Sequence, residues 1–429
     1  MSRRAPGEAP PVGQGEGGIA AAYPGATGRN RSRRTAATVL VALAVLLLAL
    51  LFAPWEGSAS PALTVRGSLS PVLVAPGSSR PLPWPPTGQA AVAVPALSVA
   101  SASGPEHPAP VASLTKIMTA YVVLRDHPLP AGAAGPSLVM GPADVADFEQ
   151  DTVTDQASAQ VSAGEVLTER QLLTGMLVHS ADNFADTLAR WDAGSVPAFV
   201  ARMNAAAARL GMRQSHFADT SGFSPGSVST PSDILKVAAA AMRFPAFDQI
   251  VRMPAVTLPV AGDLVSYTPL LGLPGVVGVK SGFTSAAGGA DVVAWRQQVA
   301  GRPVTVLAAV TGQEGPDVLL RAGLLGLAVA RAAAAELEPL VVVEGGQRVA
   351  TVVGGGRRVP VAVGRPISVL AWPTEAVHRT LGLRRLPAPG SPADTCLATL
   401  TVTVGAERSG EPACTTGPLP GRRPAHGLM

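Results

Sequence analysis

The order of periodic segments between residues 89 and 338 limits the possible folds more than any other feature. Four segments carry apolar residues at helical spacing, at 113–126, 167–193, 196–212 and 231–244. Three apolar runs typical of strands follow, at 275–282, around 290–295 and at 302–312, and a long helical segment then covers 317–337. Compact structure is predicted to start near Gln89, where the apolar run AAVAV predicts a first strand. Residues 89–338 are therefore predicted to form one domain of mixed α and β structure.

The segments on either side of this domain differ in composition. Short alternating strands separated by glycines predict a small β-rich module at 339–385. Residues 54–88 are proline-rich and are predicted to form a stiff linker. Residues 1–34, rich in Gly, Pro and Ala, and residues 386–429, rich in Pro, Gly and Ser, are predicted to be a disordered tail and a flexible tail.

An apolar run of 19 residues without a charge, 35–53, predicts a transmembrane helix. As a helix it would extend over about 28 Å, close to the thickness of a bilayer's hydrocarbon core. The arginine-rich stretch 29–34 directly before it favours a cytoplasmic N-terminus. A cleaved signal peptide is the alternative, because small residues follow at 58–60. Both interpretations place the bulk of the chain outside the cytoplasm.

Charge and composition exclude several classes of protein. Residues 1–34 carry a net charge of +4, and the remainder is formally neutral. A nucleic-acid groove therefore has no electrostatic support. The hydrophobic content of 47% excludes disorder throughout, and two cysteines are too few for a disulfide scaffold. Cys396 and Cys414 lie after the apolar run, where an oxidising environment permits a disulfide between them. The six histidines show no metal-ligand spacing, and no metal or cofactor is expected.

Lysine is rare in this chain, which has only Lys116, Lys236 and Lys280 among 33 basic residues. Arginine can supply positive charge, but it cannot supply an amine that loses a proton. Ser113 and Lys116 are three residues apart at the start of a helical segment, so the amine can reach the hydroxyl. Burial and a second cation nearby would both favour the neutral amine that a general base requires.

Two further motifs follow in the chain. Ser180-Ala181-Asp182-Asn183 interrupts the second helical segment, where a hydroxyl and a carboxamide could relay a proton and hold a substrate amide. Lys280-Ser281-Gly282 ends an apolar strand, where a lysine and a hydroxyl could bind a carboxylate. Taken singly, the first also fits a helix cap and the second a strand end. Together with S-x-x-K, in this order, they form the signature of penicillin-recognising serine acyl-transferases.

The chain resembles the D-alanyl-D-alanine carboxypeptidases among the low-molecular-mass penicillin-binding proteins. The resemblance covers roughly 105–338 and is carried by PVASLTKIMTAYVVL (110–124), LLTGMLVHSADNFADTLA (172–189), HFADTSGFSPGSVSTPSDI (216–234) and GVVGVKSGFTSAAGGA (275–290). It implies an α/β transpeptidase-like fold, an antiparallel sheet flanked by helices, with a helical subdomain that bears Ser180. It also implies an extracytoplasmic enzyme without a metal or cofactor that removes the terminal D-alanine from peptidoglycan stem pentapeptides and is inhibited by β-lactam antibiotics.

The resemblance assigns a role to each motif residue. Ser113 would be the acylated nucleophile and Lys116 its general base, and Ser180 would pass the proton to the leaving D-alanine. Lys280 and Ser281 would bind the terminal carboxylate, and Gly282 would allow close backbone approach. The backbone N–H groups of Ser113 and Phe283 would form the oxyanion hole.

The middle motif departs from the family pattern. Its third residue is usually Asn and is followed by Asp, whereas this chain has Asp182 and then Asn183. Either Asp182 takes the substrate-binding role, or a local shift presents Asn183. A carboxylate here would repel a substrate carboxylate unless it paired with Lys116.

Three other functions compete with the carboxypeptidase. A class A β-lactamase is disfavoured, because such enzymes deacylate with a glutamate between the last two motifs, and this chain has no Glu between Glu169 and Glu314. Transpeptidase or endopeptidase activity would use the same acyl-enzyme. A catalytically inactive envelope protein that binds peptidoglycan is the third alternative, and Asp182-Asn183 is the feature that supports it.

Overall fold

The structure, a computed structural model, describes residues 41–48, 62–384 and 386–421. The described residues 62–384 and 386–421 belong to one compact unit. Within residues 62–421 the described helices are α1 (Thr115–Asp126), α2 (Pro142–Val153), α3 (Glu169–Val178), α4 (Asp182–Ala193), α5 (Val196–Arg209), α6 (Pro231–Ala241), α7 (Pro245–Ile250) and α8 (Val318–Ala334). Two 3₁₀ turns lie at Pro95–Leu97 and Ala112–Leu114.

The strands fall into two large sheets and four two-stranded ones. In chain order the described strands are β1 (Thr64–Gly67), β2 (Val72–Val74), β3 (Gln89–Val94), β4 (Val99–Ala102), β5 (Ala109–Pro110), β6 (Ser137–Val139), β7 (Val166–Thr168), β8 (Val228–Ser229), β9 (Ala255–Leu258), β10 (Gly262–Val265), β11 (Val276–Thr284), β12 (Gly288–Val299), β13 (Arg302–Gln313), β14 (Glu338–Val343), β15 (Arg348–Gly354), β16 (Arg357–Val363), β17 (Ile367–Ala371), β18 (Ala376–Leu383), β19 (Cys396–Val404) and β20 (Glu407–Thr415).

A five-stranded antiparallel sheet in the order β11-β12-β13-β3-β4 forms the centre of the predicted catalytic region. Side chains on a strand alternate between the two faces of the sheet, and both faces of this sheet are covered by other elements. Val292 and Ala309 belong to the core shared with the helices that precede the sheet, whereas Val306 and Val310 pack against α8. The predicted antiparallel sheet flanked by helices is thus confirmed.

The helical part is built around α1, whose residues are nearly all buried. It contacts α3, α4, α5 and α6, so the helix that follows Ser113 lies at the centre of the largest core. The predicted helix at 167–193 is two helices, α3 and α4, with Ser180 between them. Ser180 has a φ of 64°, a left-handed conformation that no helix continues through.

The β-rich module is larger than predicted. Its seven-stranded sheet has the order β1-β15-β16-β20-β19-β18-β2. The prediction of a stiff linker at 54–88 is wrong for β1 and β2, which pair with β15 and β18. The prediction of a flexible tail from residue 386 is wrong for β19 and β20, which form a hairpin closed by the Cys396–Cys414 disulfide. Backbone pairing and the apolar core of this sheet outweigh the local proline and glycine content.

Of the predicted transmembrane segment at 35–53, the structure describes only residues 41–48, which are helical. The rest of the segment lies outside the described residues. Within the part of the chain that the structure describes, no helix combines the length and the apolar character needed to span a bilayer.

Candidate active site

Ser113 lies in the 3₁₀ turn that leads directly into α1. The turn begins at Ala112, which has a φ of 49°, and its last residue, Leu114, is buried in the main core. The helix then carries Lys116 onto the same side as the serine. Lys116 Nζ donates a hydrogen bond to Ser113 Oγ over 2.9 Å, as their spacing of three residues predicts.

Lys116 is completely buried, and three acceptors surround its amine. Besides Ser113 Oγ, Nζ donates to the backbone carbonyl of Ser221 over 3.0 Å. The third partner is the Asp182 carboxylate, which forms an ion pair with Nζ. A buried ammonium is stable only when its protons are all bound, and these three groups match its three N–H bonds.

Ser180 reaches the site from the junction between α3 and α4. Its hydroxyl donates to Ser113 Oγ over 2.9 Å. Ser113 Oγ is therefore in hydrogen-bond contact with both Lys116 and Ser180. A proton can pass among these three groups without any large movement of a side chain.

The structure separates the two residues that the sequence left unresolved. Asp182 faces Lys116, whereas Asn183 points to Ala159 and binds both of its backbone groups: Oδ1 accepts from the N–H over 3.1 Å and Nδ2 donates to the carbonyl over 2.8 Å. Asn183 is buried, bound to the backbone of Ala159 and not among the residues that line the cleft, so the alternative in which a local shift presents it to substrate is not what this structure shows. Burial raises the pKa of Asp182, against the opposing effect of Lys116.

Lys280 and Ser281 lie on β11, the edge strand beside Ser113. Lys280 is fully buried and donates to the backbone carbonyl of Ser281 over 2.7 Å. Burial, and secondly the positive charge of Lys116, lower its pKa to about 7. The Ser281 hydroxyl donates to the Tyr267 carbonyl over 2.6 Å. The side chains of Lys280 and Ser281 are thus both held by hydrogen bonds to backbone carbonyls.

Gly282 allows β11 to pass directly over Ser113. A Cβ at this position would lie 2.6 Å from the Ser113 backbone nitrogen, closer than real contacts allow. The next residue, Phe283, is more than half exposed and borders the same cleft. This cleft of about 310 Å³ is lined by Ser113, Ser180, Tyr267, Ser281, Gly282 and Phe283. All three motifs therefore meet at one open cleft.

The loop at 219–224 also shapes the site. It lies in the stretch 216–234 that carries the resemblance, but none of the three motifs assigns it a role. Asp219 accepts hydrogen bonds from the backbone N–H groups of Gly222 and Ser224, and Thr119 donates to the Thr220 carbonyl. These bonds fix the loop so that the Ser221 carbonyl faces Lys116. The signal is an aspartate three residues before a glycine, a common turn pattern that identifies a turn but not its partner.

Comparison with known proteins identifies the family. A family model described as D-alanyl-D-alanine carboxypeptidase matches residues 91–309, just over half of the 429 residues. The chain belongs to this carboxypeptidase family. The resemblance inferred from the three motifs is thus confirmed.

Relatives within the family are about one-third identical to this chain over the segments that align. The D-alanyl-D-alanine carboxypeptidase DacB2 of Mycobacterium tuberculosis is 36% identical over 175 residues, which cover 38% of this chain and 60% of the relative. The D-alanyl-D-alanine carboxypeptidase of Streptomyces sp. strain K15 is 34% identical, over 34% of this chain and 50% of the relative. A D-alanyl-D-alanine endopeptidase of Pseudomonas aeruginosa is 31% identical, over 34% and 44%. The matches span about half the length of these relatives.

Solved structures show that the fold is shared over a larger part of the chain. Penicillin binding protein 5 of Haemophilus influenzae aligns with a TM-score of 0.56 at 18% identity, over 80% of this chain and 100% of that one. The D-alanyl-D-alanine carboxypeptidase DacD of Francisella tularensis aligns with a TM-score of 0.53 at 19% identity, over 80% and 97%. The predicted transpeptidase-like fold is confirmed at the level of architecture.

Proposed function

We propose that the chain is a serine-type D-alanyl-D-alanine carboxypeptidase that removes the terminal D-alanine from peptidoglycan stem pentapeptides. The observation that carries this proposal is the contact of Ser113 Oγ with both Lys116 Nζ and Ser180 Oγ, each over 2.9 Å, beside an open cleft. Family membership supports the same substrate class.

In the proposed reaction Ser113 Oγ attacks the carbonyl carbon of the penultimate D-alanine while Lys116 takes its proton. The terminal carboxylate lies against Lys280 and Ser281, and the backbone N–H groups of Ser113 and Phe283 bind the developing oxyanion. Ser180 passes a proton to the departing amine nitrogen as the C–N bond breaks, which leaves an acyl-enzyme. Water then hydrolyses the ester and regenerates Ser113.

The test is a time course of intact mass for residues 54–429 mixed with penicillin. A one-to-one adduct that decays slowly is expected for the unaltered protein, and no adduct is expected for Ser113→Ala. D-alanine release from a stem pentapeptide, assayed on the same two proteins, then tests the reaction itself. An unaltered protein that forms no adduct would instead support the non-catalytic envelope protein.

Endopeptidase activity is the second candidate, because relatives from P. aeruginosa and Escherichia coli of about 30% identity are D-alanyl-D-alanine endopeptidases. Both activities share the acyl-enzyme and differ in the leaving group. Cross-linked muropeptide dimers offered beside free pentapeptide distinguish them: the carboxypeptidase releases D-alanine from the pentapeptide and leaves the dimers intact.

The proposal includes an extracytoplasmic location with residues 35–53 as a membrane anchor. The uncharged run and the arginines before it support this placement. The full chain should sediment with membranes and be accessible to protease from outside the cytoplasm. Its release as a soluble protein beginning after residue 58 would instead indicate cleavage of a signal peptide.

A further inference from the structure

The environment of Lys116 poses a problem for its proposed role as a base. An ammonium group donates three hydrogen bonds and has no lone pair, and Nζ has three acceptors around it in Ser113, Ser221 and Asp182. In this fully protonated form Lys116 cannot accept the proton of Ser113. One proton must leave the amine first, and the amine is completely buried.

Asp182 is the group placed to take that proton. Its carboxylate contacts Nζ directly, and the residue is only 8% exposed. The pair can exist as ammonium and carboxylate or as amine and carboxylic acid, and both forms have zero net charge. Burial removes the solvation that favours the charged form, so the neutral form gains relative to its balance in water. The raised pKa of Asp182 acts in the same direction.

Charges from neighbouring elements bear on this balance. Lys280 on β11 favours the carboxylate form of Asp182, whereas Asp219 on the adjoining loop disfavours it. Asp151 on α2 and Asp186 on α4 add further negative charge when they are ionised. Lys280 itself has a pKa of about 7, so near neutral pH it carries only part of its charge. The surroundings therefore do not hold Asp182 in its ionised form.

We propose that Asp182 holds the proton taken from Lys116, and so keeps the amine neutral and able to deprotonate Ser113. This inference rests on the proposed function. Rotation about the Cε–Nζ bond turns the lone pair of the neutral amine from Asp182 to Ser113 Oγ. During acylation the Ser113 proton moves to Lys116 and then, through Ser180, to the leaving amine nitrogen. The Asp182 proton stays in place throughout, so atoms and charge balance. Asp182 acts through Lys116, because it holds the proton that the amine has given up. It is therefore a positioning residue.

The protonation state of Lys116 can be read directly, because the chain has only three lysines. Labelling lysine Cε with ¹³C gives three NMR resonances, whose positions distinguish amine from ammonium. Lys236→Arg and Lys280→Arg assign them by loss of a signal. In the resting protein the Lys116 resonance is expected to show an amine between pH 6 and pH 9. An ammonium resonance across that range would overturn the proposal, whether or not the enzyme turns over.

A kinetic measurement on Asp182→Asn adds an independent test. The rate of acylation by penicillin is measured against pH for this variant and the unaltered protein. Asparagine has the shape and the zero charge of a protonated Asp182, so the acidic limb is expected to stay within about half a pH unit of that of the unaltered protein. An acidic limb that moves down, with faster acylation at low pH, would show that the carboxylate holds Lys116 as an ammonium and would overturn the proposal.

Asp192→Asn is the matched control for that variant. Asp192 is a buried aspartate at the other end of α4, where it pairs with Arg202. Its replacement should leave the acidic limb in place. If the unaltered protein forms no adduct, the proposed carboxypeptidase function fails, while the NMR measurement still decides the state of Lys116.

Discussion

At Gly282 a single hydrogen atom stands where any other residue would place a carbon. Replacement by alanine puts that carbon 2.6 Å from the Ser113 backbone nitrogen, so β11 must move away from the serine. The movement would displace the Phe283 N–H from the proposed oxyanion hole. We expect Gly282→Ala to slow acylation by penicillin about 10²- to 10³-fold, the usual effect of losing one oxyanion donor.

Stopped-flow or mass-spectrometric acylation kinetics would measure that change. Gly104→Ala is the matched control, because a Cβ there meets no atom within 4 Å. Equal rates for Gly282→Ala and the control would show that β11 tolerates the displacement and that the close approach has no catalytic role.

Individual residues also show how far local sequence could predict the site. Ser113 and Lys116 were predictable as neighbours, because helical spacing fixes which side chains share a face. Asp182 and Asn183 were not, because adjacent residues at a helix start point in different directions. Asn183 bonds Ala159, which is 24 residues earlier in the chain, whereas Asp182 contacts Lys116 on α1.

Among the secondary-structure elements, the β19–β20 hairpin depends most on covalent support. The Cys396–Cys414 disulfide joins its open end across a sequence separation of 18 residues. Replacing both cysteines by serine is expected to lower the free energy of unfolding of the β-rich module by about 2–3 kcal/mol. Acylation of Ser113 should be unaffected, because the hairpin contributes no residue to the cleft.

Denaturant unfolding, followed in parallel with penicillin acylation, would test this. A variant with unchanged stability would show that backbone pairing alone holds the hairpin. A parallel loss of acylation would show instead that the module supports the active site.

The elements that sequence patterns missed have one physical property in common. The strands β1 and β2 are four and three residues long, too short for an alternating pattern to be recognised. Their partners, β15 and β18, lie far away, near residues 350 and 377 of the chain. By contrast, β11, β12 and β13 are long, apolar and consecutive, so their own sequence identifies them as strands.

For the whole molecule, buried acidic groups make stability depend on pH in an unusual direction. Burial raises the pKa of Asp151 and of Glu169 to about 7. Between about pH 4 and pH 7 the folded protein therefore binds protons that the unfolded chain has released. This contribution to stability is complete below the unfolded pKa and is lost as the pH rises to about 7.

We expect the free energy of unfolding to fall by about 2 kcal/mol or more between pH 5 and pH 7. Urea unfolding at a series of pH values would measure it. Glu169→Gln, which leaves a neutral group at a buried position, should make the decline shallower. A stability that instead rises steadily over this interval would mean that these carboxyl groups are ionised in the folded protein.

The pairing of β1 with β15 also determines when the molecule can finish folding. Thr64 and Val353 are joined across 289 residues, and the whole five-stranded sheet with its helices is encoded between them. A chain that is synthesised from its N-terminus can form α1 and the cleft before the edge strands of the seven-stranded sheet, β1 and β2, pair with β15 and β18. In topological terms the catalytic region is an insertion within the β-rich module. The first strand of that module is made early and remains unpaired until most of the chain is complete.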